Sequence, residues 1–521
     1  MSARCTIVHL QKGHRAVKKT TAAIGSVAPF DVVVIGAGIV GSMVARELSR
    51  FRGRFALVEK EPASGFGVSK ANPCMLHSPL MFPSGPLRIG LAYNAASRYR
   101  KLAQELDVSF KEVGEIFVAF DEGQLKKLES AKRWAEENRV SAGHEFIHLE
   151  RLWELEPHIN RKAIAALYGK NVGGIYAPEW TFALLDNAAQ NGLAVYLNAR
   201  VKEIAGRGAF DYSIFTSRGR LNTRSIINAA GLFADEIAAM VGDDDIHLNL
   251  TKGTMAILDK SASHLVRNMI YGTFGKDHSQ MVTPTVHGNV LMGLGYFTVP
   301  EHKGDTGVSR DKLKELTRMA QGLIPAISEK QIITSFAGIR SDNTKVGQGD
   351  FYIAPSEKAP GVIHAFVGSP GLTAAPAIAE RIVKMLGEVG IAMEGKGNFQ
   401  EKRTSWPRFE PAPEHEKEEL ISSNPLYGKV ICRCERVTKA ELLEAIRRGA
   451  DTMDAIKHLT RAGMGRCQGG FCGSAVLKQL SNEFGVAETQ VTKKGDGSQQ
   501  ITGPALHLRV DTDRKEKRRR W

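Results

Sequence analysis

The chain has no run of about 18 consecutive apolar residues, so a membrane-spanning helix is not expected. No apolar stretch of signal-peptide length follows Met1, which argues against a secretory route and against the disulfide framework that goes with one. Cysteine is scarce, with six among 521 residues. Cys5 and Cys74 stand apart, while Cys432, Cys434, Cys467 and Cys472 fall in one short region. Clustered cysteines without a secretory route read as ligands for a metal or an iron–sulfur cluster. Residues 1–30 hold no acid at all but carry Arg4, Lys12, Arg15, Lys18 and Lys19. That leaves an organelle transit peptide open, although an amphipathic helix is missing there. No internal repeat is found.

What is present suits several α/β domains: 52 glycines, 43% hydrophobic residues and a formal net charge of +14. Part of that charge lies at the end, in Arg514, Lys515, Lys517, Arg518, Arg519 and Arg520, where a solvated tail is the plainest reading. A nucleic-acid role is not expected from it.

The strongest local signal is FDVVVIGAGIVGSMVARELSRF, Phe30 to Phe51. A β-branched run, Asp31 to Ile35, leads into Gly36, Gly38 and Gly41, then an apolar-periodic helix, then a strand from Arg54 to Lys60 bearing Glu59. Gly36 permits a tight turn, Gly38 lets the backbone approach a pyrophosphate, and Gly41 lets helix and strand pack closely. The helix start offers free N–H groups to phosphates. An acid at position 59 suits ribose hydroxyls and disfavours a 2′-phosphate, so NADP is not expected. Two later strand–glycine–helix turns, at Asn228 to Gly231 and Gly368 to Ala377, favour a cofactor long enough to need remote contacts, FAD rather than NAD. The helix near Gly371 could aim its N-terminus at a flavin edge where negative charge grows on reduction.

Other segments read as a helical pattern over 87–106, a strand over 110–120, helices over 124–137 and 178–192, a strand AVYLNARV and short strand-like pieces over 246–336. The motifs VVVIGAGIVGSMVARELS, SKAN (Ser69 to Asn72), IINAAGLFADEIA, VTPTVHGNVLMG, SFAGIR and SPGLTAAPAIAE resemble the FAD-dependent glycerol-3-phosphate dehydrogenase and L-2-hydroxyglutarate oxidase group, within the D-amino-acid oxidase-like superfamily. The resemblance covers roughly 30–390. It implies a Rossmann-like α/β FAD domain interleaved with an antiparallel-sheet substrate domain. It implies FAD contacts from Gly36, Gly38, Ile39, Val40, Gly41, Glu59, Lys60, Ser69, Lys70, Ala71, Asn72, Val201, Ala230, Gly231, Gly338, Gly371, Leu372 and Thr373. Arg340 matches a position that binds an anionic substrate group. His77 aligns with a histidine of the group and is expected as base or flavin neighbour. Lys252 is expected as a phosphate or flavin contact. His278, His287 and His364 are weaker candidates.

Two departures fall where substrate is expected. Pro73 and Cys74 follow SKAN where small residues are usual, and Ser341 follows Arg340 where proline is typical. They put glycerol 3-phosphate itself in question and leave flavin chemistry untouched.

ICRCERV and GRCQGGFCG supply a C-x-C and a C-x₄-C pair. Four thiolates suit [2Fe-2S], with zinc as the alternative from spacing alone. CRCERVTKAELLEAIRRGA through RAGMGRCQGGFCG further resembles the bacterioferritin-associated-ferredoxin-like [2Fe-2S] domain that is fused to anaerobic glycerol-3-phosphate dehydrogenase large subunits, and all four cysteines match.

The expected division is a basic extension over 1–29, the oxidoreductase over 30–390, a proline-bearing linker over 391–427, a small helical [2Fe-2S] domain over 428–485 and a basic tail over 486–521. FAD-binding parts are expected near 30–85, 165–245 and 340–390, and substrate parts near 86–164 and 246–339. The expected function is an FAD-dependent dehydrogenase that oxidises a small anionic hydroxy substrate, glycerol 3-phosphate first. Electrons pass to [2Fe-2S] and then to an acceptor protein or quinone pathway. The alternatives are a 2-hydroxy-acid, amine or opine dehydrogenase, or a non-catalytic electron-transfer subunit. The expected location is the cytoplasm, with peripheral membrane docking through a partner, or an organelle matrix if the N-terminus is a transit peptide.

Overall fold

The computed structural model describes residues 28–81, 84–93, 95–140, 143–274, 278–347 and 349–503. The basic extension up to residue 27 and the basic end from residue 504 lie outside them. The chain divides into two compact units. Among the described residues, the first holds 28–407 together with Gly465–Gln468, and the second holds Arg408–Met464 and 469–503.

The first unit carries two sheets. In one, the strand Phe30–Ile35 is parallel to Phe55–Val58 on one side and to Gly219–Asn228 on the other, and Gly219–Asn228 is parallel to Val362–Phe366. Val32, Val33 and Val34 are fully buried, as β-branched runs in a sheet covered on both faces should be. The helix Ile39–Leu48 packs between Ala177–Gln190 and Gly371–Glu388 around Leu48, Trp180, Leu184, Ile378 and Ile382. This is the doubly wound half, and its strand ends carry the three glycine turns.

The other sheet is mostly antiparallel, ordered Ile332–Asn343, Leu248–Leu258, Val290–Thr298, His278–Pro284, Met269–Phe274, Phe110–Ala119, Ala165–Ile175 and Met75–Leu76. One of its faces packs on the helix Arg310–Leu323 through Ala256, Leu258 and Leu316. The opposite face presents Met255, Tyr271, Met75 and Phe117.

Several boundaries differ from expectation. Met75–Leu76, Ala165–Ile175 and the whole of Ile332–Asn343 belong to the antiparallel sheet, because each pairs there along its length. The pattern over 87–106 is two helices, Pro86–Ala92 and Ala95–Leu106. AVYLNARV is not one strand: Ala194–Tyr196 joins the parallel sheet and Val201–Gly208 opens a separate hairpin.

The segment 391–427 is not a free linker. Gly395 bridges Phe51, and Arg52 N–H donates to the Glu394 carbonyl at 2.7 Å. Arg403 is buried, donates to the Leu106 carbonyl at 2.7 Å and stands 3.7 Å from Asp186. Buried Arg46 binds the Asn187 side chain, Glu105 and the Glu401 carbonyl. These contacts strap 394–406 onto the first unit. Beyond the strap, Pro413 precedes the helix Glu414–Ser423 rather than a coil.

In the second unit, helices Lys439–Arg447, Met453–Thr460 and Gly473–Phe484 surround Leu442, Ala445, Ile456 and Leu480, all nearly or fully buried. Thr438 and Glu441 form a capping box, which satisfies two N–H groups at the first of these helices. KKGDGSQQ, in the segment expected as a basic tail, forms a turn. Thr492 bridges Gln499, and the carbonyls of Thr492 and Lys493 accept from Met453 and Asp454 at 3.1 and 2.8 Å.

Candidate cofactor and substrate sites

The first glycine turn is shaped by close approach. Gly36 has φ +106°, and a Cβ there would lie 2.5 Å from the Ala229 carbonyl oxygen. A Cβ on Gly41 would lie 2.0 Å from the Gly36 oxygen, so no larger residue lets helix and strand meet. Around the turn, Ala37 N–H donates to Glu59 at 2.6 Å, and Ile39 N–H donates to the Ser69 hydroxyl at 2.9 Å. Burial raises the Glu59 carboxyl, while the N–H groups of Ala37 and Glu61 pull it back down. Ala199 N–H donates to the Glu59 carbonyl, which brings the start of Val201–Gly208 beside this acid. Val40 and Val201 pack on the flanking apolar clusters. Lys60 and Lys70 lie over the rings of Phe233 and Phe66 at 4.8 and 4.4 Å. Ala230 and Gly231 continue the Asn228 strand into a short 3₁₀ turn, with Gly231 at φ +58°.

The SKAN loop is fixed by its own asparagine. Asn72 donates to the carbonyls of Val68 and Ser69 and accepts from Cys74 N–H at 2.7 Å. The loop rests on Gly338, where a Cβ would lie 2.0 Å from the Ala71 carbonyl oxygen. Gly338 therefore admits the loop to the sheet. Cys74 takes φ +58°, a left-handed conformation that L residues rarely adopt. Its side chain joins the doubly wound core with Leu76, whereas Met75 joins the cluster on the antiparallel sheet. The bulk feared near the substrate therefore points into the core, and burial pushes the thiol up to about 11.

The long helix Gly371–Glu388 begins with no side-chain cap and no acid in its first turn. Thr373 is fully buried and its hydroxyl accepts from His77 N–H at 3.1 Å. Leu372 accepts from the Tyr99 hydroxyl. Turn, loop and helix start thus offer glycine backbones, an acid and an unblocked helix N-terminus, a set that fits a dinucleotide flavin.

His77 and Arg340 lie on the side of the antiparallel sheet that presents Met255 and Tyr271. His77 Nδ1 is 3.1 Å from the Tyr271 hydroxyl, and burial lowers the imidazole to about 4. Arg340 lies on the same face as Gly338. Its guanidinium stands 5.4 Å over Phe297 and 3.8 Å from Asp342, and its buried Nε has no hydrogen-bond partner among the described residues. Lys252 is not with them. It pairs across the ladder with Ile339, whereas Arg340 pairs with Thr251, so alternation sends the two cations to opposite faces. Lys252 is held by Asp305 at 2.7 Å.

The weaker histidines have other places. His364 is fully buried between Asn228 and Asp243, a structural pin. His287 packs edge-on against Tyr176 at 5.4 Å. The His278 side chain lies outside the described residues. Sequence reasoning missed Tyr271 and Phe297, which read as ordinary strand aromatics. It also missed Arg88, buried against Ser84, Gly349 and Asp350.

In the cysteine region, Cys432 and Cys472 are buried, and Cys434 and Cys467 are exposed. A hydrogen bond with Cys472 lowers the Cys432 thiol to about 6 against the effect of burial, and the backbone N–H groups of Gly463 and Glu435 add to the lowering. N–H groups directed at a cysteine sulfur are the surroundings a cluster thiolate needs. Among the described residues no three His, Cys, Asp or Glu side chains gather about one metal-ion position.

The profile of the DAO family, FAD dependent oxidoreductase, matches residues 31–385, and that of the BFD-like [2Fe-2S] binding domain matches 430–482, a span that contains all four clustered cysteines. The chain belongs to the FAD dependent oxidoreductase family and carries a C-terminal BFD-like [2Fe-2S] domain. Its cofactors are FAD and a [2Fe-2S] cluster. It is similar to the glycerol 3-phosphate dehydrogenase of Caloramator mitchellensis, 36% identical over 480 residues that make up 91% of this chain and 98% of that one. It is similar to the glycerol 3-phosphate oxidase of Mycoplasma genitalium, 26% identical over 367 residues, 68% of this chain and 94% of that one. Among solved structures, the dithionite-reduced L-alpha-glycerophosphate oxidase from Mycoplasma pneumoniae with FAD bound superposes with a TM-score of 0.64 at 25% identity, covering 73% of this chain and all of that one.

Proposed function

We propose that this FAD-dependent oxidoreductase is a glycerol 3-phosphate dehydrogenase whose electrons leave through its own [2Fe-2S] centre to an external acceptor. The carrying observation is the similarity to the Caloramator mitchellensis protein, which spans 98% of that chain and so includes both units. When bound, FAD supplies a two-electron acceptor and the cluster a one-electron carrier. The chain's own part is to bind and orient. Gly36, Gly38 and Gly41 admit a pyrophosphate, Glu59 takes ribose hydroxyls, and the first turn of Gly371–Glu388 faces the flavin. Arg340 holds the anionic end of the substrate, since among the described residues its guanidinium meets a ring and a carboxylate 3.8 Å away. His77 meets the substrate hydroxyl as a neutral imidazole. Cys432, Cys434, Cys467 and Cys472 are the cluster ligands. Lys252, tied to Asp305 on the other face, takes no part.

The test is anaerobic addition of glycerol 3-phosphate to the purified holoprotein, with L-2-hydroxyglutarate alongside. Rapid loss of flavin absorbance with glycerol 3-phosphate, followed by appearance of the reduced-cluster signal, is expected. Bleaching by the hydroxy acid alone moves the substrate, and silence with both rejects the assignment.

A further inference from the structure

His364 sits where a proton matters to the second glycine turn. It lies in the strand Val362–Phe366, fully buried, and pairs in register with Asn228, the last residue of the neighbouring parallel strand. Asn228 opens the turn Asn228–Gly231. Its Nδ2 donates to the Ala234 carbonyl at 2.8 Å and stands 3.1 Å from Nδ1 of His364, while its Oδ1 accepts from Ala230 N–H at 3.4 Å. A carbonyl can only accept, so the Ala234 contact fixes which end of the amide faces the ring, and it is the amino end. Nδ1 is therefore the bare nitrogen. Nε2 carries the hydrogen and gives it to Asp243 at 2.8 Å, and the Ser356 hydroxyl donates to the same carboxylate oxygen at 2.5 Å.

The turn that Asn228 opens has no slack. Ala229 N–H donates to the Ile35 carbonyl at 3.0 Å, and a Cβ on Gly36 would lie 2.5 Å from the Ala229 oxygen and 3.1 Å from Ala230 Cα. The second glycine turn thus rests directly on the first. A proton on Nδ1 sets one N–H against another at 3.1 Å. The amide cannot turn over in reply, because its oxygen would then meet the Ala234 carbonyl. Asn228 has to leave, and the turn moves with it. We infer that His364 is a proton-operated latch on the flavin site: neutral, it holds Asn228–Gly231 against Gly36, and protonated, it lets the turn go and FAD with it.

The surroundings set the sign. Burial lowers His364, and the Asp243 charge, which favours the imidazolium, opposes it. Asn228 from Gly219–Asn228 and Ser356 from the turn after Tyr352–Pro355 bring no charge. Tyr352 stands behind the Phe366 ring that tilts against His364, and exposed Lys358 acts on Asp243. Once the latch opens to water the ring titrates near 6.5, as a free histidine does. The released state therefore takes up a proton that the holoprotein refuses. FAD is fully held above about pH 6.5 and is lost as pH falls below it, by up to about tenfold in affinity per pH unit.

The test steps the purified holoprotein from about pH 8 to about pH 5, counts flavin in the ultrafiltrate and reads backbone circular dichroism on the same samples. Wild type is expected to release FAD while its dichroism is unchanged. Release that begins only where the dichroism collapses overturns the latch, since acid unfolding then explains it. Asp243→Asn separates the latch from a structural prop. It keeps the shape and an acceptor for Nε2 but removes the charge that favours the imidazolium, so release should move to lower pH by about one unit. Release at the same or a higher pH overturns the inference. His364→Gln cannot take a proton and should keep its FAD without a step over this range. A step of wild-type size in that variant also overturns the inference, and if the variant holds no FAD at neutral pH, Asp243→Asn decides alone.

Discussion

His77 and His364 are both buried as neutral rings. Burial lowers His77 to about 4, and it lowers His364 against the opposing pull of Asp243. Each therefore binds a proton more weakly folded than unfolded, where a histidine titrates near 6.5. Below about pH 6.5 the unfolded chain takes up protons that the fold refuses, so this share of stability is complete above that pH and is lost as pH falls toward 4. Thermal unfolding followed between pH 7.5 and 5 should show a falling midpoint, and His77→Gln should flatten the slope. An equal slope in the variant would assign the acid sensitivity to other groups. The same scale shows what a sequence can tell. Gly36, Gly41 and Glu59 are legible because the turn they build is local. Lys252 and Arg340 sit in strands far apart in sequence, and only the ladder reveals that one residue of register separates the faces they serve. Tyr271 carried no signal, since a buried strand aromatic looks the same whether or not its hydroxyl holds a histidine.

Among the elements, the strap over 394–406 was the least legible. Its polar residues, with Pro407, Pro411 and Pro413 just beyond, suggested a linker, and its side-chain anchors meet partners hundreds of positions away. Arg403 is the clearest of these, buried beside Asp186 and the carbonyls of Leu106 and Asp107. Arg403→Ala removes the cation beside buried Asp186 and the donor to two carbonyls, and should cost about 3–5 kcal/mol. The expected reading is a lower unfolding midpoint with easier loss of FAD. An unchanged midpoint would mean the strap is held elsewhere. The strand–turn–helix units were legible for the opposite reason: Phe30–Leu48 and Val362–Glu388 each combine a buried β-branched strand with a glycine turn and a periodic helix within a short span. The antiparallel strands were found only in part, because alternation marks a strand but not the sheet it joins.

For the molecule as a whole, Cys432, Cys434 and Cys472 lie in the second unit and the three glycine turns in the first, so loss of the cluster should leave FAD in place. Cys432→Ser is expected to abolish the electron paramagnetic resonance signal of the reduced cluster while FAD content and its bleaching by substrate persist. Loss of FAD in that variant would show that the two units depend on each other for folding. The path of the chain through the doubly wound sheet has a further consequence during synthesis. Phe30–Ile35 leaves the ribosome well before its parallel neighbour Gly219–Asn228, which lies far downstream. At translation rates of about 5–20 residues per second, the nascent edge Val32–Ile35 waits about 10–40 seconds for that neighbour. For this interval a run of valines lacks its partner on one edge while the flavin site is still unformed, so the cofactor can do nothing to hold the growing chain.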